Sequence, residues 1–161
     1  MSPWHEYAAP QNQRLSAELY STPGSIGFFT IRAYGTVAPF VSAPLNQALL
    51  DALMADRYAL GMDLYAFCLM PDHLHLLLGP REACHSMLTF VDRFKGKSTN
   101  LSWKHGRNGK LWQPRSFDHL VRRNEELRSV AEYILGNPVR KGLVEHVEDY
   151  PWSGLVDPLP W

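Results

Sequence analysis

The sequence is short of the features that would place it quickly. It holds only two cysteines, Cys68 and Cys84, set too far apart for a Cys-x-x-Cys zinc or redox pair and too few for a disulfide framework. No apolar run approaches the roughly 18 residues of a membrane span, so no membrane partner is expected. Met1-Ser2-Pro3-Trp4-His5-Glu6 lacks the basic and apolar regions of a secretory signal, and a cytoplasmic location is the expectation. There is no internal repeat and no low-complexity tract. Charge of one sign is not in excess either: the formal net charge is +0, which by itself suggests no nucleic-acid partner.

What is present is a globular composition, 45% hydrophobic and 20% charged over 161 residues, the size of one domain with a sizeable core. The neutral average also hides an asymmetry. From Arg93 to Lys141 lysines and arginines outnumber acids, whereas acids gather in the first half and between Glu145 and Asp157. A neutral chain with a basic half can focus a positive field on one face.

Periodicity gives the element order. Ile26 to Tyr34 is aromatic and β-branched, a first strand. Ala43 to Leu60 carries leucines near a 3.6 period, an amphipathic helix. Met62 to Leu69 and His73 to Leu78 read as a hairpin about Met70-Pro71-Asp72, whose proline and aspartate are turn chemistry. Cys84 to about Trp103 suits a second helix, and Ser116 to Arg122 a fourth strand. Asn124 is placed to cap a last helix from Glu125, with acids in its first turn and Pro138 disrupting its continuation. The order β-α-β-β-α-β followed by a helix predicts an α+β ferredoxin-like, or RRM-like, antiparallel sheet with helices on one face and the other face open. Residues 1–24 read as an N-terminal arm, 25–145 as the domain and 146–161 as a tail packed by its aromatics.

The chemistry-bearing residues lie in two of these elements. In a strand the side-chain period is two, so His73 and His75 point to one face while Leu74, Leu76 and Leu78 point to the core. In the last helix Tyr133 and Asn137 are four residues apart and share a face. Two imidazoles and an amide oxygen make a cation site with places left for phosphate oxygens, beside a phenolic nucleophile. These parts suit phosphodiester transesterification. Each also has an ordinary reading: a structural His-x-His pair, a packing tyrosine, a helix stop at Asn137-Pro138. Trp112 is placed either to stack an unpaired base or to fill the core.

The segment Phe67-Cys68-Leu69-Met70-Pro71-Asp72-His73-Leu74-His75-Leu76-Leu77 resembles the His-hydrophobe-His signature of the single-tyrosine HUH transposases, the insertion-sequence-200-like domain. The resemblance continues through Gly109-Lys110-Leu111-Trp112-Gln113 and Phe117-Asp118-His119-Leu120-Val121-Arg122. It ends on Tyr133-Ile134-Leu135-Gly136-Asn137-Pro138-Val139-Arg140-Lys141-Gly142-Leu143-Val144 and Tyr150-Pro151-Trp152-Ser153. The Tyr-Ile-x-x-Asn-Pro-Val-Arg block is similar in particular to the REP-associated tyrosine transposases. One departure stands in the first strand, where relatives often carry His-Val-Thr followed by Arg-Gly and this chain has Phe29-Thr30-Ile31-Arg32-Ala33-Tyr34-Gly35.

The resemblance implies His73 and His75 as a metal pair, Asn137 as a third ligand where relatives often have glutamine, and Tyr133 as the nucleophile. It implies a divalent cofactor, Mg²⁺ or Mn²⁺, and cleavage of single-stranded DNA beside a hairpin, with the 5′-phosphate kept on tyrosine. Related enzymes act as homodimers with the tyrosine helix docked in trans, or as monomers. Lys95, Lys97, Arg115, Arg122, Arg123 and Arg140 are the candidate DNA-backbone contacts. Two alternatives stand beside this reading. One is a non-catalytic nucleic-acid-binding module on the same sheet, in which stacking aromatics would occupy the places of His73 and His75. The other is a zinc protein using His73, His75, Cys68 and Cys84.

Overall fold

Alternation of side chains along four strands and the packing of helices on both faces set the architecture. The computed structural model describes residues 16–83, 85–122 and 127–161; most of the expected N-terminal arm, together with Cys84, Arg123, Asn124 and Glu125, lies outside them. Strand β1 (Gly27–Arg32) is followed by helix α1 (Ala43–Ala59), strands β2 (Met62–Met70) and β3 (His73–Pro80), helix α2 (Met87–Lys104), strand β4 (Phe117–Leu120), helices α3 (Leu127–Leu135) and α4 (Asn137–Arg140), and strand β5 (Ser153–Leu155). The sheet order is β4-β1-β3-β2-β5, and its pairings are antiparallel. The first four strands have the expected ferredoxin-like arrangement. The fifth comes from the stretch read as a tail, where Ser153–Leu155 pairs along the outer edge of β2.

Helices α1 and α2 start for local reasons. Ser42 caps α1 by accepting from the Leu45 N–H, with proline in the first turn, and Ser86 caps α2 by accepting from the Leu88 N–H. Both helices lie on one face of the sheet. Leu45, Leu49, Leu53, Phe90, Val91 and Phe94 pack there on Phe29, Ile31, Leu74, Leu76 and Leu78. Trp112 belongs to this core: its ring lies 4.8 Å from Phe40 and 6.3 Å from Phe94, and its indole N–H donates to Ser98 Oγ at 2.7 Å.

The opposite face was expected to be open, and here the structure differs. Helix α3 covers part of it, burying Leu127, Val130, Ala131 and Ile134 against Ala66, Cys68, Met70 and Leu77. The reason is the helix's own amphipathicity: a one-sided apolar stripe must be covered, and the second face of β2 and β3 offers the apolar partners. A bulge between Leu64 and Ala66 shifts the β2–β3 register, and Tyr65 and Ala66 both join the α3 side. The tail is tied to the sheet by Tyr150, whose hydroxyl donates to the Leu69 carbonyl, and by Asp157, which accepts from the Leu64 N–H and pairs with Arg57 at 2.9 Å.

Candidate functional site

Strand pairing aligns the polar residues of the α3 face in two rows. His75 of β3 has Thr30 of β1 on one side and Cys68 of β2 on the other, and Thr30 in turn faces Phe117 of β4. One step along, His73 lies between Arg32 and Met70. Helix α3 covers Cys68 but leaves uncovered a cleft of about 680 Å³ over the β4-β1-β3 side, which His73, His75, Thr30, Arg32, Tyr133 and Asn137 help to line. That volume is in the range of roughly 300–1,000 Å³ usual for ligand sites.

Both imidazoles are held from behind. His73 Nδ1 lies 2.7 Å from Asp72 Oδ1, and His75 Nδ1 lies 3.0 Å from Thr30 Oγ1. An Nδ1–H donated to the carboxylate fixes the tautomer of His73, so its Nε2 carries a lone pair facing away from Asp72. Burial pushes the pKa of His73 below its ordinary value against the opposing pull of Asp72, and burial with the neighbouring His73 takes His75 well below. Burial works to raise the Asp72 carboxyl, but its hydrogen bond to His73 and the charges of His73 and Arg32 bring it down. The pair is therefore neutral imidazole beside an ionised carboxylate, the protonation state a metal requires.

Asn137 is buried, with Nδ2 3.1 Å from His73 Nε2. The lone pair it meets is the one a cation would take, and turning the amide over exchanges its nitrogen for an oxygen donor. The donor chemistry fits a divalent cation: two imidazole nitrogens with outer-shell partners already in place, and an amide oxygen within reach of the same point. Among the described residues no group of three His, Cys, Asp or Glu converges, so a closed zinc set of those types is not formed there. Cys68 is fully buried, burial pushes its thiol up to about 12, and it does not line the cleft. Cys84 is outside the described residues.

Tyr133 reaches the cleft from the last turn of α3. Its ring centroid is 6.4 Å from that of His75 and 6.1 Å from that of Phe28, which in turn meets the His75 ring edge-on at 5.3 Å. The two histidine rings are 4.7 Å apart. The break after α3 leaves Tyr133 and Asn137 on the same side, because Gly136 stays in the helical region with φ −78° and its N–H still bonds the Glu132 carbonyl.

The expected DNA-contact residues are scattered. Lys95 Nζ donates to the carbonyls of Gln113 and Pro114, and Lys97 pairs with Asp56 of α1. Arg115 and Arg122 are exposed on either side of β4, Arg123 is not described, and Arg140 folds back over the Tyr133 ring. None of the five described ones lines the cleft, whereas Arg32, Lys141 and His119 do. Arg32 and Thr30 carried a readable signal, since period two puts them on one face of β1. Asp72 was legible only as turn chemistry.

Comparison with known proteins gives the family. The family profile described as "Transposase IS200 like" matches residues 40–137. A Haemophilus influenzae protein named as a REP-associated tyrosine transposase is 28% identical over 144 residues, covering 83% of this chain and 81% of its own. The REP-associated tyrosine transposase of Escherichia coli is 25% identical over 134 residues, covering 83% and 78%. A solved structure of a REP-associated tyrosine transposase bound to a REP hairpin superposes with a TM-score of 0.70 at 25% identity, over 82% of this chain and 77% of that one. With a match that spans more than half of its length and contains both histidines, Tyr133 and Asn137, the chain belongs to the IS200-like transposase family, enzymes of DNA transposition.

Proposed function

We propose that this transposase cuts and rejoins single-stranded DNA next to a hairpin of the REP type, with Tyr133 as the nucleophile. The observation that carries the reading is convergence within one chain: Tyr133 and two neutral, back-bonded imidazoles line the same cleft. The Tyr133 oxygen attacks the scissile phosphorus, a tyrosine O–P bond forms and the bond from phosphorus to the 3′-oxygen breaks. The phenolic proton is lost and the leaving 3′-oxygen takes one up, so the products are a 5′-phosphotyrosine and a 3′-OH. Because one phosphodiester replaces another, the reverse attack by a 3′-OH rejoins DNA without ATP.

His73, His75 and Asn137 would hold the divalent cation, Mg²⁺ or Mn²⁺. When bound it would supply positive charge against the phosphate oxygens. The chain's own contribution is orientation. Asp72 and Thr30 hold the imidazoles, α3 presents the tyrosine, and Arg32 and Lys141 place two cations in the cleft, beside the carboxylates of Asp72 and Asp118, to meet a phosphate backbone. The relative solved with a REP hairpin supports a hairpin substrate. The tyrosine helix packs on the sheet of its own chain, which supports a monomer as the cleaving unit. No described helix is long and apolar enough to cross a membrane, consistent with action where the DNA is, in the cytoplasm.

A purely binding module would present a free sheet face, and α3 occupies part of this one. The test is nicking of a hairpin-bearing oligonucleotide with Mg²⁺ or Mn²⁺ and with EDTA. Cleavage only with the metal is expected. Tight binding with no cleavage under either condition would favour the binding module.

A further inference from the structure

Arg140 does something its place in a basic run does not suggest. Its guanidinium carbon sits 4.1 Å from the centroid of the Tyr133 ring, and its Nη2 donates to the Tyr133 carbonyl at 2.5 Å. One side chain thus grips both ends of the same residue. Tyr133 is in the final turn of α3, where carbonyls run out of partners within the helix, and the guanidinium supplies a donor there. Over the ring face the cation meets the negative side of the quadrupole.

Gly136 provides a second and independent observation. Its φ of −78° suits any residue, so backbone conformation does not call for glycine. A Cβ at that position would lie 2.8 Å from Arg140 Nη1 and 3.1 Å from the Glu132 carbonyl oxygen. The missing side chain is the space through which the guanidinium returns to Tyr133. The spacing Tyr133, Gly136, Arg140 is then one device: an aromatic nucleophile, a gap, and a planar cation folded back from α4.

We propose that Arg140 is the positioning residue of the nucleophile, holding the Tyr133 ring in its attacking orientation, with Gly136 as the space that permits it. This rests on the reading of Tyr133 as nucleophile. A partly exposed tyrosine at a helix end otherwise turns about two side-chain bonds, and transesterification needs its oxygen in line with the leaving 3′-oxygen. Phe28 and His75 supply further ring contacts. Arg140 on this account contributes to rate at the chemical step and little to DNA affinity, the opposite of a phosphate-binding arginine.

The experiment uses the full chain and a hairpin oligonucleotide, with wild type, Tyr133→Phe, Arg140→Ala, Arg140→Lys, Gly136→Ala and the double variant Gly136→Ala/Arg140→Ala. Two quantities are read: the single-turnover rate of covalent adduct formation at saturating DNA, and Kd as a function of salt. A misplacement of the reacting group by about 1 Å costs on the order of 10²-fold, and a loss of that order is expected for Arg140→Ala with Kd and its salt slope unchanged. Arg140→Lys falls with it, because an ammonium keeps the charge but not the planar stack. Gly136→Ala, which keeps Arg140 but fills its path, loses rate in the same way, and the double variant loses no more than either single one.

If Arg140→Ala instead raises Kd and lowers the salt slope by about one while the saturated rate holds, Arg140 is a phosphate contact and the proposal is overturned. Additive losses in the double variant would separate Gly136 from Arg140 and overturn the shared device. A wild-type protein that cleaves without a Tyr133-dependent adduct contradicts the underlying reading of Tyr133, a result distinct from any failure of Arg140.

Discussion

The two faces of strand β3 make the most instructive comparison in the molecule. Leu74, Leu76 and Leu78 face α1 and α2 with no solvent exposure, within the apolar core. One residue out of step, His73 and His75 face the α3 side, are only 6% and 7% exposed, and have polar partners on β1 and in the turn. Burial is nearly the same on both sides, so burial does not distinguish core from site. The distinction lies in what covers the residues. A continuous helical layer excludes water from the leucines, whereas α3 stops short and leaves the imidazole edges on a cleft.

Substitutions on the two faces are expected to separate stability from activity. Leu76→Ala removes a fully buried side chain and should cost about 2–5 kcal/mol in denaturant unfolding. The paired change His73→Ala and His75→Ala should leave the protein folded, at a smaller cost than Leu76→Ala, while abolishing metal-dependent nicking. Unfolding of the histidine variant, or nicking that survives it, breaks the comparison.

A milder change tests the partner behind the site. Asp72→Asn keeps an acceptor for the His73 Nδ1–H and removes the charge. Outer-shell changes of this kind weaken metal binding by about 10–100-fold, which a Mn²⁺ titration reads directly. Unchanged affinity would leave Asp72 a turn residue and nothing more.

The smallest expected effect is in pH. His73 and His75 are held below the ordinary histidine value of 6.5 by burial. Below that value the unfolded chain binds protons that the folded chain refuses, so stability falls as pH drops through about 6.5 toward the lower folded values. Measured in EDTA, His75→Gln should flatten this slope, since the strongly depressed group is gone. An identical slope in the variant would mean that His75 titrates freely in the folded protein.

Much of this was legible in the sequence because it follows from period. Two histidines with a leucine between them on a strand must share a face, and Tyr133 with Asn137 must share one on a helix. The sheet order of the first four strands follows from the alternation of elements. What escaped depended on contacts that period does not encode. The three residues of β5 are too few to show an alternation. Asp72 and Thr30 become partners of the imidazoles only through the hairpin geometry and the β1–β3 register. Clustered lysines and arginines show net charge but not direction: Lys97 turns to Asp56 and Arg140 to Tyr133, while Arg32, set alone in a strand, lines the cleft. The covering of the second face by α3 was readable in principle, since an apolar stripe of Leu127, Val130, Ala131 and Ile134 needs a partner.

The central claim is that the polar face of β3 and the end of α3 form one nucleophilic site. It is tested most directly by incubating wild type and Tyr133→Phe with a hairpin-bearing oligonucleotide and Mn²⁺, then separating the products under denaturing conditions. The account predicts a protein–DNA adduct that maps to Tyr133 in the wild type and none in the variant, with DNA binding retained in both. An adduct of equal yield in Tyr133→Phe would contradict it.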